Sequence, residues 1–225
     1  MVAQLLREAV SAGAPAGSTV PVTDVVAAPA ADPRGAVLGS SIMPLAIAGV
    51  AAGAAVSLLR LRGARAGVAL LGVSVAVGLL ATAVTDSWLG ALTGDWWSEA
   101  GTVALTVLAI GAPVAGLAAL IGTPGIGLGA LLMVLLGNPF SGVTSAPELL
   151  PRPIGVIGQL LPPGASGSLL RSVAFFDGAA ASGAALTLGV WAVLGLAAVL
   201  VGGRRGTATP DAAPVAAQRE PALSR

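Results

Sequence analysis

AGTVALTVLAIGAPVAGLAALIGTPGIGLGALLMVLLGNPFSGVTSAP, residues 100–147, holds no charged side chain across 48 residues. As a single helix it would run about 72 Å at 1.5 Å per residue, more than twice the hydrocarbon thickness of a bilayer. It must turn back on itself, and the strongest breaker near its middle is Gly122-Thr123-Pro124-Gly125. Two membrane-crossing helices follow, at about 101–121 and 126–140. Outward from this stretch, charged residues punctuate the chain. Arg34 and Arg60 enclose 25 uncharged residues, Arg65 and Asp86 enclose 20, and Asp177 and Arg204 enclose 26. One crossing takes roughly 20 apolar residues, so each holds one span: about 37–59, 66–85 and 183–203.

Composition agrees with that map. Of 225 residues 56% are hydrophobic and 9% charged, and the mean hydropathy is +0.93. Soluble domains carry about 25% charged residues; so little charge cannot wet a surface of this size. The predicted fold is all-α, a multi-pass bundle of five spans over 36–203. A stub and linker (1–35) precede it, and a polar Ala/Pro/Thr/Arg tail (204–225), expected to be disordered, follows. Within the stub, Met1–Val10 reads as a short amphipathic helix and Thr19–Val26 as a β-prone stretch.

Missing residue types narrow the chemistry. The 11 basic residues are all arginine, against 10 acids, and Cys, His, Lys and Tyr are absent. No Cys/His zinc site, disulfide, His-based triad or lysine P-loop can be built from this chain. A net charge of +1 gives no reason to expect nucleic acid as a partner. Gly164-Ala165-Ser166-Gly167 spells an intramembrane protease motif, but its serine has no histidine base. Gly125-x-Gly127-x-x-Ala130 lacks the βαβ unit of a dinucleotide site. Asp86 and Asp177 lie at span ends, where Asp177 is expected to cap the last helix rather than form a dyad. No metal, cofactor or catalytic residue is therefore expected, and the chain does not read as an enzyme.

Arginine placement orients the bundle. Arg60, Arg62 and Arg65 follow the first span, and Arg204 and Arg205 follow the last. The excess of arginine marks the cytoplasmic side, which puts the N-terminus outside and the C-terminus inside a plasma membrane. Trp88, Trp96, Trp97, Phe140, Phe175 and Phe176 then fall at the outer interface, where aromatic rings concentrate. Trp191, mid-span, reads as a packing residue.

Small residues crowd the spans, including Gly49-x-x-x-Gly53 and Gly125-x-x-x-Gly129. Such spacing serves packing within one bundle or a contact between copies. Pro113 falls midway along the third span, as a packing kink or a gating hinge. Beyond Asn138-Pro139 the chain is cut by prolines 147, 151, 153, 162 and 163. Ile154–Leu161 and Ser168–Phe176 read as two short amphipathic helices, either resting on the outer leaflet or shielded by protein at membrane depth. Asn138, Pro139, Glu148, Arg152, Gln159 and Asp177 are the polar or breaking points of this outer segment (143–176 and its flanks), and with Pro113 they form the candidate functional positions. No charge is expected inside a span, which argues against an ion-driven transporter.

The run GNPFSGVTSAPELLPRPIGVIGQLLPPGASGSLLRSVAFFD, residues 137–177, resembles the C-terminal part of bacterial ABC type-2 permease-like membrane proteins, closest to the phage-infection-protein branch. Val22–Gly35, ending Asp32-Pro33-Arg34-Gly35, is similar to the end of that branch's extracytoplasmic domain, and the resemblance covers roughly 20–203. It implies six spans, with short outer helices between the fifth and sixth. The five spans here would be the last five, with the first span and most of the outer domain missing. It further implies a permease-like subunit of a bacterial exporter, acting with a second permease chain and a separate ATP-hydrolysing subunit. Uncharged spans suit a hydrophobic or amphipathic substrate. The short loop Arg60–Arg65 departs from the family in lacking a coupling helix. That departure favours an alternative, a non-transporting scaffold of the bacterial envelope.

Overall fold

The computed structural model describes residues 8–10, 12–13, 26, 28–143, 150–151 and 153–205. Most of Met1–Val10 and of Thr19–Val26, together with Glu148, Arg152 and the tail from 206 onward, lies outside the described residues. Among those described, every regular element is helical. Five helices are long and apolar enough to cross a membrane: α1 (Ala36–Leu58), α2 (Gly63–Trp88), α3 (Trp96–Ile121), α4 (Thr123–Phe140) and α7 (Ala181–Arg205). Two shorter helices, α5 (Ile154–Leu160) and α6 (Pro162–Phe175), precede α7. The chain is a membrane protein built as a multi-pass helical bundle.

The long helices assemble around α3. In its most apolar window 56% of α3 is buried, against 22–39% for the other four, so α3 is the axis and the others its coat. Lipid tails are as apolar as leucine, so close dispersion contact, rather than escape from water, must hold such helices together. Glycine supplies the closeness. A Cβ on Gly49 would lie 2.8 Å from Ile110, and one on Gly53 would collide with the Gly111 carbonyl. Gly125 and Gly129 press α4 onto Leu117 and Val114, Gly78 presses α2 onto Ala100 and Ala104, and Gly195 presses α7 onto Ala112 and Pro113. Both glycine pairs singled out in the sequence thus face the chain's own third span.

Consecutive long helices alternate in direction. One end of the bundle gathers the α1–α2 connection, the start of α4 and the end of α7, with Gly203 against Arg62 and Gly63. This arginine end carries a cavity of about 460 Å³ lined by Ser57, Arg60, Arg62 and Gly202. The connection from α1 to α2 is only Leu59–Arg62. Leu61 N–H bonds Val56 O and Arg60 N–H bonds Ser57 O, a Schellman closure that puts Arg60 at φ 56° where glycine is usual. The opposite end gathers Trp88, Trp96, Trp97, Phe140, Phe175 and Phe176.

At that opposite end the sequence expectations need correction. The third span begins at Trp96 rather than near 101, because Asp95 caps it by accepting from Ser98 N–H at 2.9 Å. Glu99 therefore lies inside the helix and is fully buried, so a charged residue type does sit within a span. The second span continues through Asp86 to Trp88, its last six residues winding as a π-helix. At the arginine end the fourth span starts at Thr123 rather than 126, and it ends at Phe140 as expected, with Asn138 and Pro139 inside it.

Candidate functional site at the re-entrant hairpin

α5 and α6 form a helical hairpin that enters the bundle and leaves at the same end. Trp191 Nε1–H donates to Leu160 O at 2.9 Å. Trp191 lies ten residues beyond Ala181, the start of α7, which places the hairpin tip about 15 Å along that helix. A hydrocarbon core is about 30 Å thick, so in a bilayer spanned by α7 the tip would lie near half-depth. Ala165 packs there with Ala109, Leu188 and Ala192. From this depth α6 climbs back until Ala174 meets Gly94 and Thr93 Oγ1–H donates to Ala174 O. Non-helical backbone is tolerated at such depth when protein surrounds it, and Pro162 through Gly167 are all buried. The second helix thus begins at Pro162 rather than Ser168. Prolines at its first two positions lack N–H groups that would otherwise go unbonded. Its opening turns are wrapped by protein, not amphipathic.

A chain of neutral hydrogen bonds fastens the hairpin. Gln159 Nε2–H donates to Ser141 O at 2.9 Å, and Gln159 Oε1 accepts from Ser168 Oγ–H at 2.6 Å. Ser141 Oγ–H donates to Asn138 O at 2.6 Å. Two of the sequence candidates, Asn138 and Gln159, are thereby joined through Ser141, with Pro139 in the same last turn of α4. The Asn138 side-chain Nδ2 is buried and has no partner among the described residues. Gly158 lies directly against the Phe140 carbonyl, bringing the α5 backbone onto the end of α4.

The other candidates stand apart. Pro113 is buried mid-way along an unbroken α3, against Gly195, as a packing residue of the α3–α7 crossing. Asp177 is exposed at φ 48° in the turn between α6 and α7, four residues before α7 begins, so it does not cap that helix. That turn is held instead by Ser172 Oγ–H donating to Ala179 O. Ser166, of the protease-like motif, is buried and donates to Pro162 O at 2.6 Å.

Several side chains at this end escaped the sequence reading. Arg171, the charged residue of α6, is half-buried and donates from Nη2 to Val143 O at 3.2 Å. Glu99 Oε1 accepts from Gly94 N–H at 2.9 Å, while its Oε2 is buried without a partner among the described residues. An acid four positions after the cap Asp95, in the first turn of the helix, was the available signal. Asp32 accepts from Ala36 N–H (2.9 Å) and Val37 N–H (2.8 Å), and these bonds hold its carboxyl below the usual carboxylate range. The Ser98 hydroxyl and N–H do the same for Asp95.

Two hollows flank the hairpin. One, of about 330 Å³, lies between Arg34, Leu38, Val143, Arg171, Phe175 and Phe176. The other is an apolar groove of about 550 Å³ between the near halves of α1 and α2, with Val37, Pro44, Leu80, Ala81 and Val84 along it and Leu170 at its head. Among the described residues no three acidic, His or Cys side chains converge to hold a metal ion. The arrangement is suited to holding a hairpin, or an amphiphile, in place. Comparison with protein-family models, with curated proteins and with solved structures yields no match.

Proposed function

We propose that the chain is a permease-like transmembrane subunit of a bacterial ABC-type export system, working with a separate ATPase on a hydrophobic or amphipathic substrate. The observation that carries this reading is the hairpin: short helices set between the last two spans, where the resemblance at 137–177 expects them. An apolar groove open between α1 and α2 supports an amphiphilic substrate over an ion. In this reading the arginine end faces the cytoplasm, the hairpin end faces outward, and the chain is not itself an enzyme. Purification of the tagged chain after mild in-cell cross-linking should capture an ATP-hydrolysing subunit, and deletion should lower efflux of amphiphilic dyes. Absence of both effects rejects transport.

The four-residue α1–α2 connection favours a second reading, a membrane scaffold without a transport cycle, since it offers no helix for an ATPase to push. Cross-linking from α5 that captures a defined envelope protein while efflux stays unchanged would select it.

A further inference from the structure

Arg34 and Arg171 line one hollow from two different elements, the entry to α1 and the last turns of α6. Neither forms an ion pair among the described residues. Arg171 has one hydrogen bond, to a carbonyl. Asp32, two residues before Arg34, binds Val37 and Ala36 N–H with its two oxygens and feels the Arg34 charge without forming an ion pair with it. Two guanidinium groups, one of them half-buried, thus keep donors that no carboxylate among the described residues accepts. Guanidinium matches phosphate with paired, charge-assisted bonds. Phe175 and Phe176 form the apolar part of the same wall.

The apolar groove lies next to this hollow. Val37 and Leu170 line the groove, and their chain neighbours Leu38 and Arg171 line the hollow. They share a wall: Leu38, which lines the hollow, packs in one cluster with Val103 and Leu170, which line the groove. From Val37 to Leu45 the groove follows α1 for about 12 Å, within the depth of one leaflet. A paired cation site above an apolar channel of leaflet length is complementary to one class of molecule.

We propose that this end of the bundle binds one anionic phospholipid, its phosphate between Arg34 and Arg171 and an acyl chain in the groove between α1 and α2. The proposal deepens the reading above by naming the amphiphile, and it rests on that reading's placement of the chain in a bilayer.

The test uses the full chain, exchanged into micelles with equimolar phosphatidylglycerol and phosphatidylcholine and examined by native mass spectrometry. The wild type should retain one phosphatidylglycerol in about tenfold preference, because the trimethylammonium of phosphatidylcholine offsets the phosphate charge that the two guanidinium groups attract. Arg34→Gln with Arg171→Gln should bring the ratio near one, and Ala81→Phe, which fills the groove, should lower retention of both lipids. Equal retention by the wild type, or a preference that survives loss of both arginines, overturns the proposal. Complete displacement by glycerol phosphate, which has no acyl chain, overturns the part given to the groove. Should Arg171→Gln fail to fold, Arg34→Gln alone must weaken the preference and Arg171→Lys must keep it. No ATPase or gradient enters the measurement, so its failure is separate from failure of the transport reading.

Discussion

Glu99 shows how one side chain departs from an otherwise apolar interior. One carboxylate oxygen ties the Gly94 N–H to the start of α3, and the other is buried with no donor to it among the described residues. Glu99→Gln keeps an acceptor for Gly94 and removes the cost of burying a charge, so thermal unfolding in detergent should show equal or higher stability. Glu99→Ala leaves that N–H unbonded and should cost about 1–3 kcal/mol. The reverse order would refute this account. Asp32 makes a prediction of opposite kind. Its folded pKa is lowered, so the stability it contributes is complete above the ordinary value of about 3.9. That contribution is lost as pH falls through the lowered folded value. The drop in melting temperature between pH 6 and pH 3 should therefore be smaller in Asp32→Asn than in the wild type. At this scale the sequence was partly legible. The spacing Asp95-x-x-x-Glu99 could have placed Glu99 inside the helix, whereas Ser141 and Ser168 carry no local sign that Gln159 joins them.

Among the elements, the long helices were readable because charge spacing and bilayer thickness are both one-dimensional quantities. The hairpin was not. Its prolines announced a break, but whether α5 and α6 lie on the membrane or in it depends on Trp191 reaching Leu160, a contact across 31 residues. The chain has no cysteine, so introduced thiols report without background. Leu160→Cys, 60% exposed in the isolated chain yet at half-depth in a bilayer, should resist a water-soluble maleimide in intact membranes. Asp177→Cys, in the exposed turn, should react readily. Rapid labelling at both positions would return the hairpin to the surface. Glycine pairs were legible as contact sites, but not which helix they would meet.

At the scale of the whole molecule, five crossings put the two ends of the bundle's chain path on opposite faces, and Arg60, Arg62, Arg65 and Arg204 fall at one of them. If that face is cytoplasmic, a fluorescent protein fused after residue 225 should light up, and a phosphatase fused there should be inactive in whole cells. The opposite pattern would invert the bundle and with it the assignment of the hairpin to the outside. The central position of α3 also bears on how the protein is made. Synthesis delivers α1 and α2 before α3, yet both keep their closest contacts for that later helix. Arrival of α3 gives them a common surface, and the hairpin and α7 can seat only after it. Biogenesis thus has a commitment point at this crossing, and a chain stalled before α3 would hold α1 and α2 without the helix that takes their closest contacts.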